Sequence, residues 1–150
     1  PAPPLMQPAL RPYQTHLVAS IGPSSALLKL PTGSGKTHIA AALLSSPPRR
    51  RALFLVPTRE LVDQQAHVLA SWRLRVVRVE GEMRGRVLEG WEVMVATPEA
   101  FLGLQGRQAG LEWGAFGVVV FDEVHHAVKE HPYRRIARGI RTWRAAGGGR

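Results

Sequence analysis

The chain has no cysteine among its 150 residues, which excludes disulfides and leaves stability to the packing of a core. Lysine is almost missing too: Lys29, Lys36 and Lys129 are the only three, so 17 of the 20 basic side chains are arginine. No apolar run approaches the roughly 20 residues needed to span a bilayer. The opening PAPPLMQPALRPYQ also lacks the continuous apolar stretch of a secretory signal. These absences predict a soluble, intracellular protein, cytoplasmic or nuclear. Because the sequence opens at Pro1 rather than Met and closes on Gly-Gly-Gly-Arg, it reads as a segment of something longer.

Apolar residues make up 45% of the chain. At this length a folded chain hides about two thirds of the surface it would expose unfolded, enough for a core without metals or staples. One compact domain, or part of a larger one, is expected. The 11 acidic residues leave a formal charge of +9. Carried by arginine, that charge suits phosphate, because the guanidinium fork donates two hydrogen bonds at once. GC-rich codon usage also favours Arg, Ala, Gly and Pro, so charge alone leaves nucleic-acid binding and codon bias both open.

Pro1, Pro3, Pro4, Pro8 and Pro12 permit no regular element in the first dozen residues, which form a lead-in arm over 1–12. Leu17, Val18 and Ile21 recur at helical spacing from Tyr13 until Gly22 and Pro23. Residues 26–30 read as a strand running into PTGSGKT, followed by a helix through Ile39, Ala40, Leu43 and Leu44. The unit then repeats: a strand over Ala52 to Val56, and a helix over Glu60 to Trp72 through Leu61, Val62, Gln65 and Leu69. Further strands are expected at Leu74 to Val79, Val93 to Ala96 and Val118 to Phe121, with helices at Pro98 to Leu104 and Pro132 to Ala145. Gly103 to Gly114 reads as a loop and 147–150 as a glycine-rich end. Apolar strands alternating with helices imply the α/β class, a mostly parallel sheet covered on both faces by helices.

Two segments carry chemistry. In LPTGSGKT, Gly33 and Gly35 let backbone N–H groups wrap a phosphate chain and the following helix offers its positive end. Lys36 reaches the outer phosphates and the Thr37 hydroxyl can hold Mg²⁺. Leu30 stands where the generic pattern has glycine, but the strand before and helix after are the required context. In VVVFDEVHH an apolar strand delivers Asp122 and Glu123 at its C-terminal end, where open α/β sheets bind ligands. Asp122 would hold Mg²⁺ and Glu123 would polarise the attacking water. The two segments are 86 residues apart, room for the repeated strand-helix units.

Together PTGSGKT and DEVH resemble the first RecA-like lobe of a superfamily 2 helicase of the DExH type. The resemblance implies a P-loop NTPase fold, ATP and Mg²⁺ as cofactors, nucleic acid as partner, and a helicase ATP-binding domain over 13–146. It implies that Lys36, Asp122 and Glu123 are catalytic. It implies that ATP is held by Pro31, Thr32, Gly33, Ser34, Gly35, Lys36 and Thr37, with Gln14 reading adenine and Arg11 or Tyr13 beside the base. PTREL, Pro57 to Leu61, resembles motif Ia, and ATPEAF, Ala96 to Phe101, resembles motif Ib; on that likeness Thr58, Arg59, Thr97 and Pro98 grip the nucleic-acid backbone. His125 would relay the nucleotide state. DEVHHAVKEHPYRRI and FLVPTRELVDQQ are similar to the helicase lobes of Dicer enzymes and RIG-I-like receptors, and more loosely to Hef and FANCM-type translocases. Duplex RNA is thereby favoured over DNA. Val124 departs from the more usual Cys or Ala.

His125, His126 and His131 lack the spacing of a zinc site. Arg134, Arg135, Arg138, Arg141 and Arg144 form a basic helix face, solvated by default and able to meet phosphate. The four tryptophans, Trp72, Trp91, Trp113 and Trp143, read as core or half-buried residues. The family draws its transition-state arginine from a second lobe, for which 150 residues leave no space, and the Ser-Ala-Thr segment of motif III does not occur before Arg150. Such an arginine is worth about a thousandfold or more in rate, so this chain alone is expected to be nearly inactive. A non-motor nucleotide switch and an RNA-binding module with a vestigial nucleotide site remain alternatives.

Overall fold

The computed structural model describes residues 9–20, 35–46, 49–79, 90–108, 110–123 and 132–148. The strands are β1 (Ala52–Leu55), β2 (Val76–Arg78), β3 (Val93–Ala96) and β4 (Val118–Phe121). All pair in parallel, in the order β2-β3-β1-β4. The helices are α1 (Pro12–Ser20), α2 (Lys36–Ser45), α3 (Arg59–Ser71), α4 (Pro98–Arg107) and α5 (Pro132–Ala145).

Successive strand residues point to opposite faces, and here both faces are apolar. Ala52, Phe54, Val93 and Val95 point one way, against Ala41, Ala42 and Leu44 of α2 and Val62, Ala66 and Leu69 of α3. Leu53, Leu55, Met94 and Ala96 point the other way, against Phe101 and Leu104 of α4 and Tyr133 and Ile136 of α5. The expected α/β architecture, a parallel sheet with helices on both faces, is what forms. Two helices start where their sequences place a cap: Thr58 accepts from the Leu61 N–H at 3.4 Å and Thr97 from the Ala100 N–H at 3.3 Å. Pro98 follows at the first helical position, where its missing N–H costs nothing.

The loop expected over Gly103 to Gly114 is corrected. Helix α4 continues to Arg107, because Phe101 and Leu104 are buried and the Gln108 N–H closes on the Leu104 carbonyl at 2.9 Å. That packing outweighs the roughly 1 kcal/mol that each helical glycine, Gly103 and Gly106, costs relative to alanine. Leu111 is buried next, and a 3-10 turn over Trp113–Ala115 sets Trp113 and Phe116 against Phe101. The strand expected at Leu74 to Val79 shortens to the three residues of β2, which among the described residues pairs with β3 alone. Trp72 and Trp91 are buried and Trp113 and Trp143 half-buried, as read from the sequence. The strand expected over 26–30 lies outside the described residues.

At the N-terminal edge of the sheet, Glu92 ties three segments together. Its carboxylate pairs with Arg49 at 3.1 Å and Arg75 at 3.4 Å and accepts the Arg75 backbone N–H at 3.2 Å. Burial pushes this carboxyl up, but the Arg75 backbone bond, the Arg49 hydrogen bond and the charges of both arginines together hold it below the usual range. A depressed carboxyl contributes stability that is full above its unfolded value of about 4.3 and is lost as pH falls through the folded one. Glu92→Gln is therefore expected to cost about 0.5–1 kcal/mol at pH 7. The gap to wild type should narrow as pH falls below about 4.3, as urea unfolding across that range will show.

Candidate functional site

The register of the sheet decides where the chemistry-bearing segments meet. Leu55 of β1 aligns with Ala96 of β3 and with Phe121 of β4. The next residues, Val56, Thr97 and Asp122, therefore leave the sheet at the same C-terminal edge. Backbone bonds keep them there: the Val56 N–H reaches the Ala96 carbonyl at 3.0 Å and the Asp122 N–H the Leu55 carbonyl at 2.9 Å. From one edge the sheet thus presents Asp122 and Glu123, then Thr58 and Arg59, then Thr97. In open α/β sheets this is the edge that binds ligands.

Gly35, Lys36 and Thr37 open α2, half-buried. Gly35 takes a left-handed backbone, φ 78° and ψ 35°, which glycine alone adopts without a steric penalty. Against it lies Gln14, the one buried polar side chain among the described residues, 4% exposed. Its amide oxygen accepts the Arg11 backbone N–H at 2.8 Å and its amide nitrogen donates to the Gly35 carbonyl at 3.2 Å. Gln14 thereby fastens α1 to the start of α2, while the Arg11 side chain is exposed. The Thr37 hydroxyl donates to the Gln65 amide oxygen on α3. One residue along, the Trp72 indole N–H donates to His38 Nδ1 at 3.0 Å. Pro31, Thr32, Gly33 and Ser34 of the glycine-rich loop lie outside the described residues, as do His125, His126 and His131.

Asp122 and Glu123 turn away from β4 half-buried, and Glu123 also has a left-handed φ of 55°. Such a conformation is uncommon outside glycine and is concentrated where the surroundings hold it in place. The surroundings here include Tyr133 of α5, 3% exposed, whose hydroxyl bonds the Asp122 carbonyl at 2.7 Å and the Leu55 carbonyl at 3.1 Å. Its ring packs edge-on against Phe121 at 5.4 Å. Burial, then the charges of Asp122, Glu123 and Glu99, push the phenol well above its usual range, so it remains a hydrogen-bond donor. Tyr133→Phe should lower stability by about 0.5–1.5 kcal/mol, the net worth of a hydrogen bond, since the Leu55 carbonyl keeps the Asp122 N–H; denaturant unfolding measures it. As a donor set, the Thr37 hydroxyl and the Asp122 carboxylate are hard oxygens, the kind Mg²⁺ takes.

A cleft of about 510 Å³ opens between the starts of α3 and α4, lined by Pro57, Thr58, Arg59, Thr97, Glu99 and Arg107 among others. The Thr58 and Thr97 oxygens are used as caps, yet a capping hydroxyl keeps its own hydrogen to donate. Pro98, the first residue of α4, is fully buried, so its ring has no surface to offer. Four contributors escaped the sequence reading: Gln65, Tyr133, the His38 to Trp72 bond, and Arg107. Gln65 left a signal, a polar residue on the apolar side of α3, and Tyr133 stands within the run DEVHHAVKEHPYRRI. Arg107 left none, because its helix was expected to end at Leu104. The five arginines of α5, Arg134, Arg135, Arg138, Arg141 and Arg144, are all exposed.

Known proteins are similar to this chain in sequence and in fold. The endoribonuclease Dicer homolog 4 of Oryza sativa subsp. japonica is 33% identical over 147 residues, covering 85% of this chain and 9% of that protein. The DEAD-box ATP-dependent DNA helicase Fancm of Drosophila melanogaster is 33% identical over 146 residues, covering 85% and 10%. The chain thus spans about a tenth of the length of these relatives. A solved structure of a hypothetical ATP-dependent RNA helicase from Sulfolobus tokodaii superposes with a TM-score of 0.56 at 29% identity, covering 65% of this chain and 31% of that one. The family model described as type III restriction enzyme, res subunit, matches residues 7–144. The chain belongs to that family, as the first RecA-like lobe of a superfamily 2 helicase-type domain.

Proposed function

We propose that residues 13–146 form the ATP-binding lobe of an ATP-dependent motor that acts on double-stranded RNA. The observation that carries this reading is the common register of β1, β3 and β4, which puts a carboxylate pair and a capped, arginine-bearing cleft on one sheet edge. Lys36, with Gly33 and the rest of the glycine-rich loop, holds the phosphates of ATP. Gln14 holds Gly35 in place and, with Arg11, serves the adenine side. Thr37 and Asp122 hold the Mg²⁺, which when bound draws charge from the phosphates. Glu123 orients the attacking water and receives its proton. Thr58, Arg59 and Thr97 take the nucleic-acid backbone through hydroxyl, guanidinium and helix N-terminal N–H groups. His125 carries the nucleotide state toward that surface.

Duplex RNA is supported by the Dicer relatives and the RNA-helicase neighbour. A second reading, a DNA translocase lobe of the FANCM type, is favoured by the Drosophila relative at the same 33% identity. Anisotropy titrations with RNA and DNA duplexes of one sequence separate them. Tighter binding of RNA supports the first, and equal or tighter binding of DNA the second. Phosphate release by this chain is expected at background level and unchanged by Lys36→Ala. Turnover that Lys36→Ala abolishes would contradict the need for a second lobe.

A further inference from the structure

We infer that Gln65 is a positioning residue for the divalent cation that accompanies ATP, acting through the hydroxyl of Thr37. The inference rests on the nucleotide-site reading above and deepens it. Gln65 sits half-buried on the inward side of α3, among Leu61, Val62, Ala66 and Leu69. A polar side chain placed there needs a partner, because an unpaired amide on a packed face loses its water without recompense. The partner is specific: the Thr37 hydroxyl donates to the Gln65 amide oxygen.

The direction of that bond matters. A threonine hydroxyl has one hydrogen and two lone pairs, and its rotor is free until something fixes it. With the hydrogen committed to Gln65, the oxygen has only lone pairs for any other neighbour, the state a hard cation requires of a ligand. The bond and the metal also reinforce each other. An oxygen that gives electron density to a dication makes its own O–H a stronger donor, and charge-assisted hydrogen bonds are the stronger kind. A Gln65 that cannot accept would leave the hydroxyl free to turn its hydrogen toward the cation.

The helices that carry the two residues are held independently. The Trp72 indole donates to His38 at 3.0 Å, and the two rings lie 6.2 Å apart. Loss of the Gln65 bond should therefore leave α2 and α3 in contact and change the hydroxyl rather than the fold. The same α3 begins at Arg59, capped by Thr58, in the cleft.

The test is a titration of the chain with a fluorescent ATP analogue in Mg²⁺ and in EDTA. Wild type should bind more tightly in Mg²⁺. In Gln65→Leu that gain should shrink by about threefold to tenfold, the worth of one oriented hydrogen bond, with affinity in EDTA unchanged. Gln65→Glu, which still accepts, should restore most of it, and Gln65→Leu should have no further effect on the gain in a Thr37→Ala background. Thermal melts without nucleotide check folding, and Gln65→Met serves if the leucine variant melts early. A full Mg²⁺ gain in Gln65→Leu, or an equal loss in Mg²⁺ and EDTA, overturns the inference while leaving the nucleotide site intact. No binding by wild type, or a gain untouched by Thr37→Ala, overturns the site reading and this inference with it.

Discussion

Gly35→Ala is expected to lower stability by about 2–4 kcal/mol and to weaken ATP binding more than tenfold, at least about 1.4 kcal/mol. Two costs add. The left-handed backbone at Gly35, φ 78°, crowds any Cβ against the following carbonyl, at roughly 1–2 kcal/mol. The new methyl carbon would also stand 2.2 Å from the Gln14 amide nitrogen, well inside contact distance. Gln14 has little room to retreat, since it is 4% exposed and its amide donates to the carbonyl of the same glycine. Pushing it out gives up that bond together with its hold on Arg11. Denaturant unfolding measures the first effect and ATP titration the second. A variant as stable as wild type would mean that Gln14 does not brace the start of α2.

The next largest effect belongs to the cleft. Arg59→Ala combined with Arg107→Ala should weaken duplex binding by about tenfold to a hundredfold at low salt. The plot of log affinity against log salt should lose about two phosphates' worth of slope, close to 0.9 for each on DNA. The loss should be uniform across sequences, because both arginines line a cleft beside the sheet edge and can meet the backbone without reading bases. Glu99, in the same cleft, sets a repulsive boundary on one side. Arg134→Ala with Arg141→Ala, on exposed α5, is the comparison: a larger loss there than in the cleft pair would move the nucleic-acid surface to that helix.

Much of this fold is legible in the sequence, because its strands are apolar runs bounded by turn signals. Val93–Ala96 and Val118–Phe121 stand in the structure where periodicity places them. Glycine content misleads at the end of α4, where Gly103 and Gly106 suggest a loop while Phe101 and Leu104 anchor a helix; a local rule yielded to burial. At the candidate site, residue types and spacing single out Lys36, Thr37, Asp122 and Glu123 as candidates, and the family resemblance adds Gln14, since chemistry restricts which side chains can meet phosphate and metal. The supporting residues are harder to see. Tyr133 and Gln65 act across the fold, 78 residues from Leu55 and 28 from Thr37, and such pairings follow from topology rather than from any local pattern. Pro98 is the converse: a residue inside a recognisable motif whose side chain the fold has buried.

The most direct measurement is equilibrium binding of ATP to this 150-residue chain by calorimetry, with Mg²⁺, beside Lys36→Ala. One weak, Mg²⁺-dependent site is expected in wild type, with affinity at least tenfold lower, about 1.4 kcal/mol, in the variant. The variant should show the same unfolding midpoint as wild type, because among the described residues no carboxylate pairs with Lys36. Binding that ignores Lys36, or no binding at millimolar ATP, would contradict the assignment of this sheet edge to ATP.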